Sequence, residues 1–257
     1  MVKGAKGLHV GRPRRGVGLF LREWFVPAAA WMLGAKAHKQ RVHRVMNSEL
    51  PQWLKRALAE PLPGVGGGPH RVASGVRARY GRCPPDARQA GVLVLLYPHQ
   101  GSWHVPLTLR PDHLPDHPGQ VSLPGGALMP GETAGQAALR EFCEELGTSD
   151  QALDMLGPLS PVYVRASRFR VEPWIAWTPK RPEMRPNPDE VAALLEVPLA
   201  DLMDPRHRGR HLRQDEGRRY WAPHFQWQQY RIWGATWTIL SELVTLVEGF
   251  LRSGEAL

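Results

Sequence analysis

Gly126-Ala-Leu-Met-Pro-Gly-Glu132-Thr-Ala-Gly-Gln-Ala-Ala-Leu-Arg140-Glu-Phe-Cys-Glu-Glu145-Leu-Gly-Thr148 is the stretch from which the fold is read. Ala134, Ala138, Phe142 and Leu146 recur every four residues. That spacing predicts an amphipathic helix over 133–146, with Gly147 as its C-terminal stop. Glu141, Glu144 and Glu145 stand at i, i+3 and i+4 and share one helical face. Like charges so placed cost an isolated helix roughly a few tenths of a kcal/mol per pair. A hard divalent cation reverses that sign, because carboxylate oxygens are the donors it prefers. Gly125 and Gly126 let the preceding loop approach closely and bring backbone amides and carbonyls to the same place. A bare Arg-Glu-x-x-Glu-Glu is read first as a solvated acidic helix end, so the flanking sequence has to decide between the two.

Upstream, Gly91-Val-Leu-Val-Leu-Leu-Tyr97 is a continuous apolar run of buried-strand length. A turn over 98–102 leads into a paired strand, Trp103–Leu109, whose Pro106 is tolerable at an edge or bulge. A Pro/His/Asp-rich loop covers 111–120, and Val121-Ser-Leu123 is a brief strand broken by Pro124-Gly125-Gly126. Downstream, strands are expected over 159–165 and 171–178, and a short helix or strand opening over Asp189–Leu195. A charged loop is expected over 205–219 and an extended aromatic stretch over Tyr220–Tyr230. A closing amphipathic helix is expected over Thr236–Leu251. Near the N-terminus, 47–60 reads as a short helix with Asn47 or Ser48 as N-cap and Leu50, Trp53, Leu54 and Leu58 on one side. Residues 61–90 read as an irregular, Pro/Gly/Arg-rich approach.

The 257 residues are 42% hydrophobic, enough for a packed core. The net charge of +9 is confined to one place. Residues 1–45 carry ten basic side chains against Glu23 alone, which accounts for all of it and leaves the other 212 residues with no net charge. A general affinity of the body for polyanions is therefore not expected. The basic segment reads as a disordered arm, as a surface-binding amphipathic piece, or as sequence upstream of a native start at Met46. The last of these is the preferred expectation. No apolar stretch is long enough for a membrane helix; the best, 16–35, is interrupted by Arg22, Glu23 and Pro27. Cys83 and Cys143 are too few and too far apart for a disulfide framework or a four-cysteine zinc site, and are read as reduced thiols of a cytoplasmic protein.

The 23-residue spacing from Gly126 to Thr148 resembles the Nudix box: Gly, five residues, an acid, seven residues, then Arg-Glu-apolar-x-Glu-Glu-x-Gly-apolar. Phe142 and Thr148 depart from it at packing positions. The segment before it, Leu107-Thr-Leu-Arg110 through His117-Pro-Gly119-Gln120-Val-Ser-Leu-Pro-Gly125-Gly126, resembles the signature of the coenzyme A pyrophosphatase branch of that family, with Leu123 in place of Phe. Asn187-Pro-Asp-Glu190-Val191, Val197-Pro-Leu199 and Ile232-Trp-Gly-Ala-Thr236 look like the same branch. The resemblance implies an α/β (α+β) chain with the Nudix α/β/α sandwich and a mixed β-sheet. Its expected organisation is a basic extension (1–45), a lead-in (46–90) and the hydrolase domain (91–257).

The resemblance also implies the chemistry. Glu141, Glu145, Glu144 and the carbonyl of Gly125 are the implied ligands of Mg²⁺ or Mn²⁺. Glu144, Glu145, Arg140 and Glu190 are the implied catalytic set, with Arg140 paired to Glu132 to hold loop on helix and Glu190 as an extra carboxylate, ligand or base. Arg110, His117 and Gln120 are the implied substrate contacts. The implied substrate is a small molecule, coenzyme A or an acyl-coenzyme A, cut to 3′,5′-ADP and 4′-phosphopantetheine, with no nucleic acid or membrane partner. Two other readings remain open. One is a Nudix hydrolase of another nucleoside diphosphate compound, such as ADP-ribose or a dinucleotide. The other is a catalytically silent Nudix-fold binding protein. Trp221, Trp227, Trp233 and Trp237 suit either an aromatic floor for adenine or core packing.

Overall fold

The computed structural model describes residues 49–62, 64, 83–113, 117–215 and 217–253. The basic segment 1–45, the expected caps Asn47 and Ser48, and most of 61–90 lie outside them. The order is α1 (Glu49–Leu58), β1 (Arg88–His99), β2 (Ser102–Leu109), β3 (Val121–Ser122), β4 (Gly125–Ala127), α2 (Ala134–Leu146), β5 (Asp154–Pro158), β6 (Val162–Val164), β7 (Phe169–Trp177), β8 (Ala193–Pro198), α3 (Leu199–Met203), β9 (Arg208–Asp215), β10 (Arg218–Trp227), β11 (Tyr230–Trp233) and α4 (Gly234–Ser253).

Strands β1–β8 form one mixed sheet, and β9–β11 a separate three-stranded antiparallel ribbon. The continuous apolar run of β1 has a direct cause: the strand is covered on both faces. Leu93, Leu95 and Tyr97 pack with Ala138, Phe142 and Leu146 of α2. The alternate residues Val94 and Leu96 join Leu50 and Leu54 of α1 and Leu240, Leu243 and Phe250 of α4 in the larger core. The architecture is thus the α/β/α sandwich with a mixed sheet.

Strand β1 runs parallel to β7 from Arg88↔Phe169 to Leu96↔Trp177. Its other edge changes partner along its length. It pairs with β4 over residues 90–92 and with β2 over 97–99. The β1–β2 loop is Gln100-Gly101, both with positive φ (46° and 76°), the conformation that suits a two-residue hairpin. Pro106 sits where β2 has parted from β1 and has only Glu196 of β8 opposite.

Several expected elements differ. The brief strand β3 does break before Pro124, but Gly125–Ala127, unforeseen, then pair with β1 as β4. Only glycine permits this at 125: φ is +152°, and a Cβ would lie 2.3 Å from the Gly91 carbonyl oxygen. The expected strand 159–165 is only Val162–Val164, and Asp154–Pro158, unforeseen, forms β5 on the far side of β7. The charged 205–219 stretch is not a loop but mostly strand, paired across from Arg208↔Phe225 to Asp215↔Arg218. An exposed ribbon tolerates such polarity on the face it turns to water.

Candidate active site

Helix α2 is fixed at both ends. The side chain of Thr133 accepts from the Gln136 amide while Gln136 Oε1 accepts from the Thr133 amide at 2.9 Å, a reciprocal capping box. At the other end the amides of Arg185 and Asn187 donate to the carbonyls of Leu146 and Glu145 at 2.6 and 2.8 Å. The helix lies directly on β1 because Gly91 has no side chain: a Cβ there would stand 2.0 Å from the Ala134 carbonyl oxygen.

This seating buries Glu145, which is only 6% exposed, against β4. The Gly125 amide donates to its carboxylate, yet its Oε2 is buried with no hydrogen-bond partner. Burial, with the charges of Glu141 and Glu190, pushes its carboxyl from near 4.5 up to about 8, against the opposing pull of the Gly125 amide and the Arg110 charge. Arg110 and Glu190, distant in sequence, are thereby within electrostatic reach of Glu145. The segment that carries Glu190 is the one docked by Asn187 onto the end of α2.

Arg140 is the hub of the remaining acids. Its Nε and Nη2 donate to Glu132 at 2.9 and 3.1 Å. Its Nη1 donates to Glu141 at 2.8 Å and to Glu144 at 3.0 Å, and Nη2 also reaches the Ala127 carbonyl at 3.1 Å. The Glu132, Glu141 and Glu144 carboxylates hold the guanidinium protonated well above its usual range, and Arg140 in turn holds the Glu132 carboxyl below its own. Glu132 also accepts from the Met129 amide at 2.8 Å, which ties the loop to the helix. Glu141 rests against β4: a Cβ at Gly126 would lie 2.4 Å from its carboxylate carbon. Glu144 is the more open of the acids, with 56% of its side chain exposed.

Strand β4 also borders a cleft of about 620 Å³. Arg110, His117, Gln120, Gly125 and Gly126 all line it. The loop bearing the first three is closed on itself, since the Arg110 amide donates to the Gln120 carbonyl at 3.0 Å and the Gly119 amide to the Arg110 carbonyl at 3.1 Å. His117 holds a positive φ of 55° in that turn. Strand β4 therefore belongs to both: its residues line the cleft, and Gly126 abuts Glu141 of the acidic helix. Of the four tryptophans, Trp233 and Trp237 line the cleft, Trp227 stacks on Tyr230, and Trp221 is 61% exposed.

The lining also includes Arg88, Arg165 and Arg213, which the sequence motifs did not single out. Arg88 lies at a strand start, Arg165 in a turn and Arg213 in a stretch expected to be loop, so nothing in the local pattern marked them. A pair of histidines, His211 and His224, also went unremarked. Their rings meet edge to face across the ribbon, and burial holds both below the usual imidazole range.

Among the described residues, no three His, Cys, Asp or Glu side chains are drawn together as a ready-made ligand shell. The donor set nonetheless fits a hard divalent cation. A buried carboxylate oxygen without a partner is rare and costly. Here it belongs to Glu145, with Glu141 and Glu190 near enough to repel it. A cation would supply the missing partner and relieve that repulsion.

The sequence model of the family described as NUDIX domain matches residues 87–221. NudL of Shigella flexneri serotype 5b, described as an uncharacterized Nudix hydrolase, is 35% identical over 176 residues, covering 65% of this chain and 87% of NudL. Nudix hydrolase 3 of Caenorhabditis elegans is 30% identical over 181 residues, covering 63% of this chain and 75% of that protein. Among solved structures, the Nudix hydrolase RenU of M. smegmatis aligns with a TM-score of 0.39 at 26% identity, over 44% of this chain and 71% of RenU.

Proposed function

The chain belongs to the Nudix hydrolase family, and from that premise we propose that it hydrolyses the diphosphate of coenzyme A or an acyl-coenzyme A, giving 3′,5′-ADP and 4′-phosphopantetheine or its acyl form. One observation carries the reading. The loop that resembles the coenzyme A branch, with Arg110, His117 and Gln120, lines the same cleft as Gly125, whose amide is bonded to the buried Glu145.

Glu145, Glu141 and Glu144, with the carbonyl of Gly125, would hold the Mg²⁺ or Mn²⁺. When bound, such an ion neutralises the diphosphate and makes water a better nucleophile. Arg140 is a positioning residue that keeps Glu141 and Glu144 in place while its bond to Glu132 anchors the loop. Arg110 supplies charge-assisted hydrogen bonds to a diphosphate oxygen. His117 and Gln120 orient the substrate from the same loop. Water adds to phosphorus, the anhydride P–O bond breaks, and the water proton passes to a carboxylate, Glu190 or Glu144. Positioning and charge neutralisation thus do most of the chemistry. The thiols of Cys83 and Cys143 are free, which supports a cytoplasmic setting.

The test is product analysis with Mg²⁺ or Mn²⁺ on separate samples of coenzyme A, acetyl-coenzyme A, ADP-ribose and nucleoside triphosphates. We expect 3′,5′-ADP from the coenzyme A compounds, abolished by chelator and by Glu145→Gln. Turnover of ADP-ribose or nucleotides alone would overturn the substrate and keep the family chemistry. An active Glu145→Gln protein would overturn the assignment of the metal site.

A further inference from the structure

The cleft is charged in one sense only. Four arginines, Arg88, Arg110, Arg165 and Arg213, line it, and among the described lining residues there is no Asp, Glu or Lys. Arg110 belongs with the acidic helix, as its effect on Glu145 shows. The other three stand elsewhere. Arg88 opens β1, four residues before Val92, which is the partner of Gly125. At about 3.3 Å per strand residue, roughly 13 Å of β1 separates the two. Arg165 lies in the turn between β6 and β7, and Phe169, the start of β7, pairs with Arg88. Arg213 comes across from the ribbon.

Two of these arginines are braced. The Arg88 guanidinium carbon lies 4.1 Å from the Phe169 ring centroid, and that of Arg213 lies 4.3 Å from the Trp233 ring. Stacking on an aromatic face fixes a guanidinium plane while leaving its in-plane N–H donors off the ring, the arrangement that suits a forked bond to phosphate. Just outside the cleft, Arg168 pairs with Asp86 at 2.7 Å and Arg170 with Glu172 at 3.6 Å. The positive charge beside Arg88 and Arg165 is thus neutralised at Arg168 and Arg170. What remains is a concave, locally positive pocket mouth.

Resting on the reading of the previous subsection, we propose that Arg88, Arg165 and Arg213 form a second anion subsite that takes a phosphomonoester on the ribose of the substrate, apart from the diphosphate held at Arg110. The subsite makes the enzyme select nucleoside diphosphate compounds that carry a third phosphate. It also gives the ribbon β9–β11 a function, since Arg213 and its brace Trp233 both come from it.

The experiment is calorimetric titration of the metal-free full chain with 3′,5′-ADP and with 5′-AMP, which differ only in the ribose phosphate and cannot be cut. The bisphosphate is expected to bind about tenfold to a hundredfold more tightly. That preference should collapse in Arg88→Ala/Arg213→Ala, shrink in Arg165→Ala, and persist in Arg168→Ala, which removes the same charge outside the cleft. Circular dichroism confirms that each variant is folded. Equal binding of the two nucleotides, binding of neither, or a preference that survives in Arg88→Ala/Arg213→Ala would overturn the subsite even where coenzyme A is hydrolysed. A preference that depends on these arginines in a protein that leaves coenzyme A intact would keep the subsite and discard the proposed substrate.

Discussion

Glu145 is the residue on which the site turns, and its burial makes a sign-definite forecast. Its carboxyl lies near 8 in the folded chain against an ordinary 4.5. Between those values the native state holds a proton that the unfolded chain has released, so stability falls as pH rises. The contribution is fully present below about 4.5 and lost by passage through about 8. A divalent cation at the proposed site would displace that proton, so its binding should strengthen as pH rises. Thermal melts of the chelated protein should therefore drop between pH 5.5 and 8.5, and the rise in Tm on adding Mg²⁺ should grow over the same range by roughly a few kelvin. Glu145→Gln should flatten both trends. A melting temperature independent of pH in the wild-type protein would contradict the burial argument. The carboxylate cluster itself was legible in the sequence from its i, i+3, i+4 spacing. That Glu145, rather than its neighbours, is the buried member was not, because burial depends on β4, whose pairing is set by glycines.

At the scale of elements, helix α2 emerges close to its sequence reading, 134–146 against an expected 133–146, with Thr133 and Gly147 at its ends. Periodicity and capping residues are local signals, and α2 has both. The extended reading of Tyr220–Tyr230 holds in β10, but strand β5 and the first ribbon strand, β9, were missed for the converse reason. Asp154–Pro158 contains Gly and Pro, and 208–219 is rich in charge, so neither carries strand propensity; β5 is made by pairing with β7, and β9 by a hairpin with its neighbour β10. Two glycines under α2 separate support of the helix from support of the proposed metal site. Gly91→Ala drives a methyl into the Ala134 carbonyl, rigid backbone, and is expected to cost about 1–3 kcal/mol or more by denaturant melts. Gly126→Ala meets only the tip of Glu141, which can swing away. It should leave the fold nearly intact but weaken Mg²⁺ activation by about tenfold or more. Equal destabilisation by the two would show that Glu141 is as immobile as the backbone.

For the molecule as a whole, the charge lesson runs against composition. The excess of +9 lies in a segment outside the described residues, whereas the cleft gathers four arginines from a body with no net charge. Only Arg110 was visible beforehand, because only it belonged to a motif; the others converge through the β1–β7 pairing and the ribbon. Raising ionic strength from about 0.05 to about 0.5 M should accordingly raise KM severalfold with little change in kcat, since exposed charges are screened over such distances. No helix among the described residues is long and apolar enough to cross a membrane. The parallel register of β1 with β7 has a temporal consequence as well. Each paired residue is 81 positions from its mate, and at ribosomal rates of about 5–20 residues per second roughly 4–16 s pass between their syntheses. During that interval the nascent chain displays a strand apolar on both sides, whose covering helix comes early and whose central partner comes late. Such long-range closure slows folding and lengthens exposure to aggregation. Recovery from denaturant should therefore depend steeply on protein concentration, and a chain stopped before Trp177 should be held by chaperones rather than released.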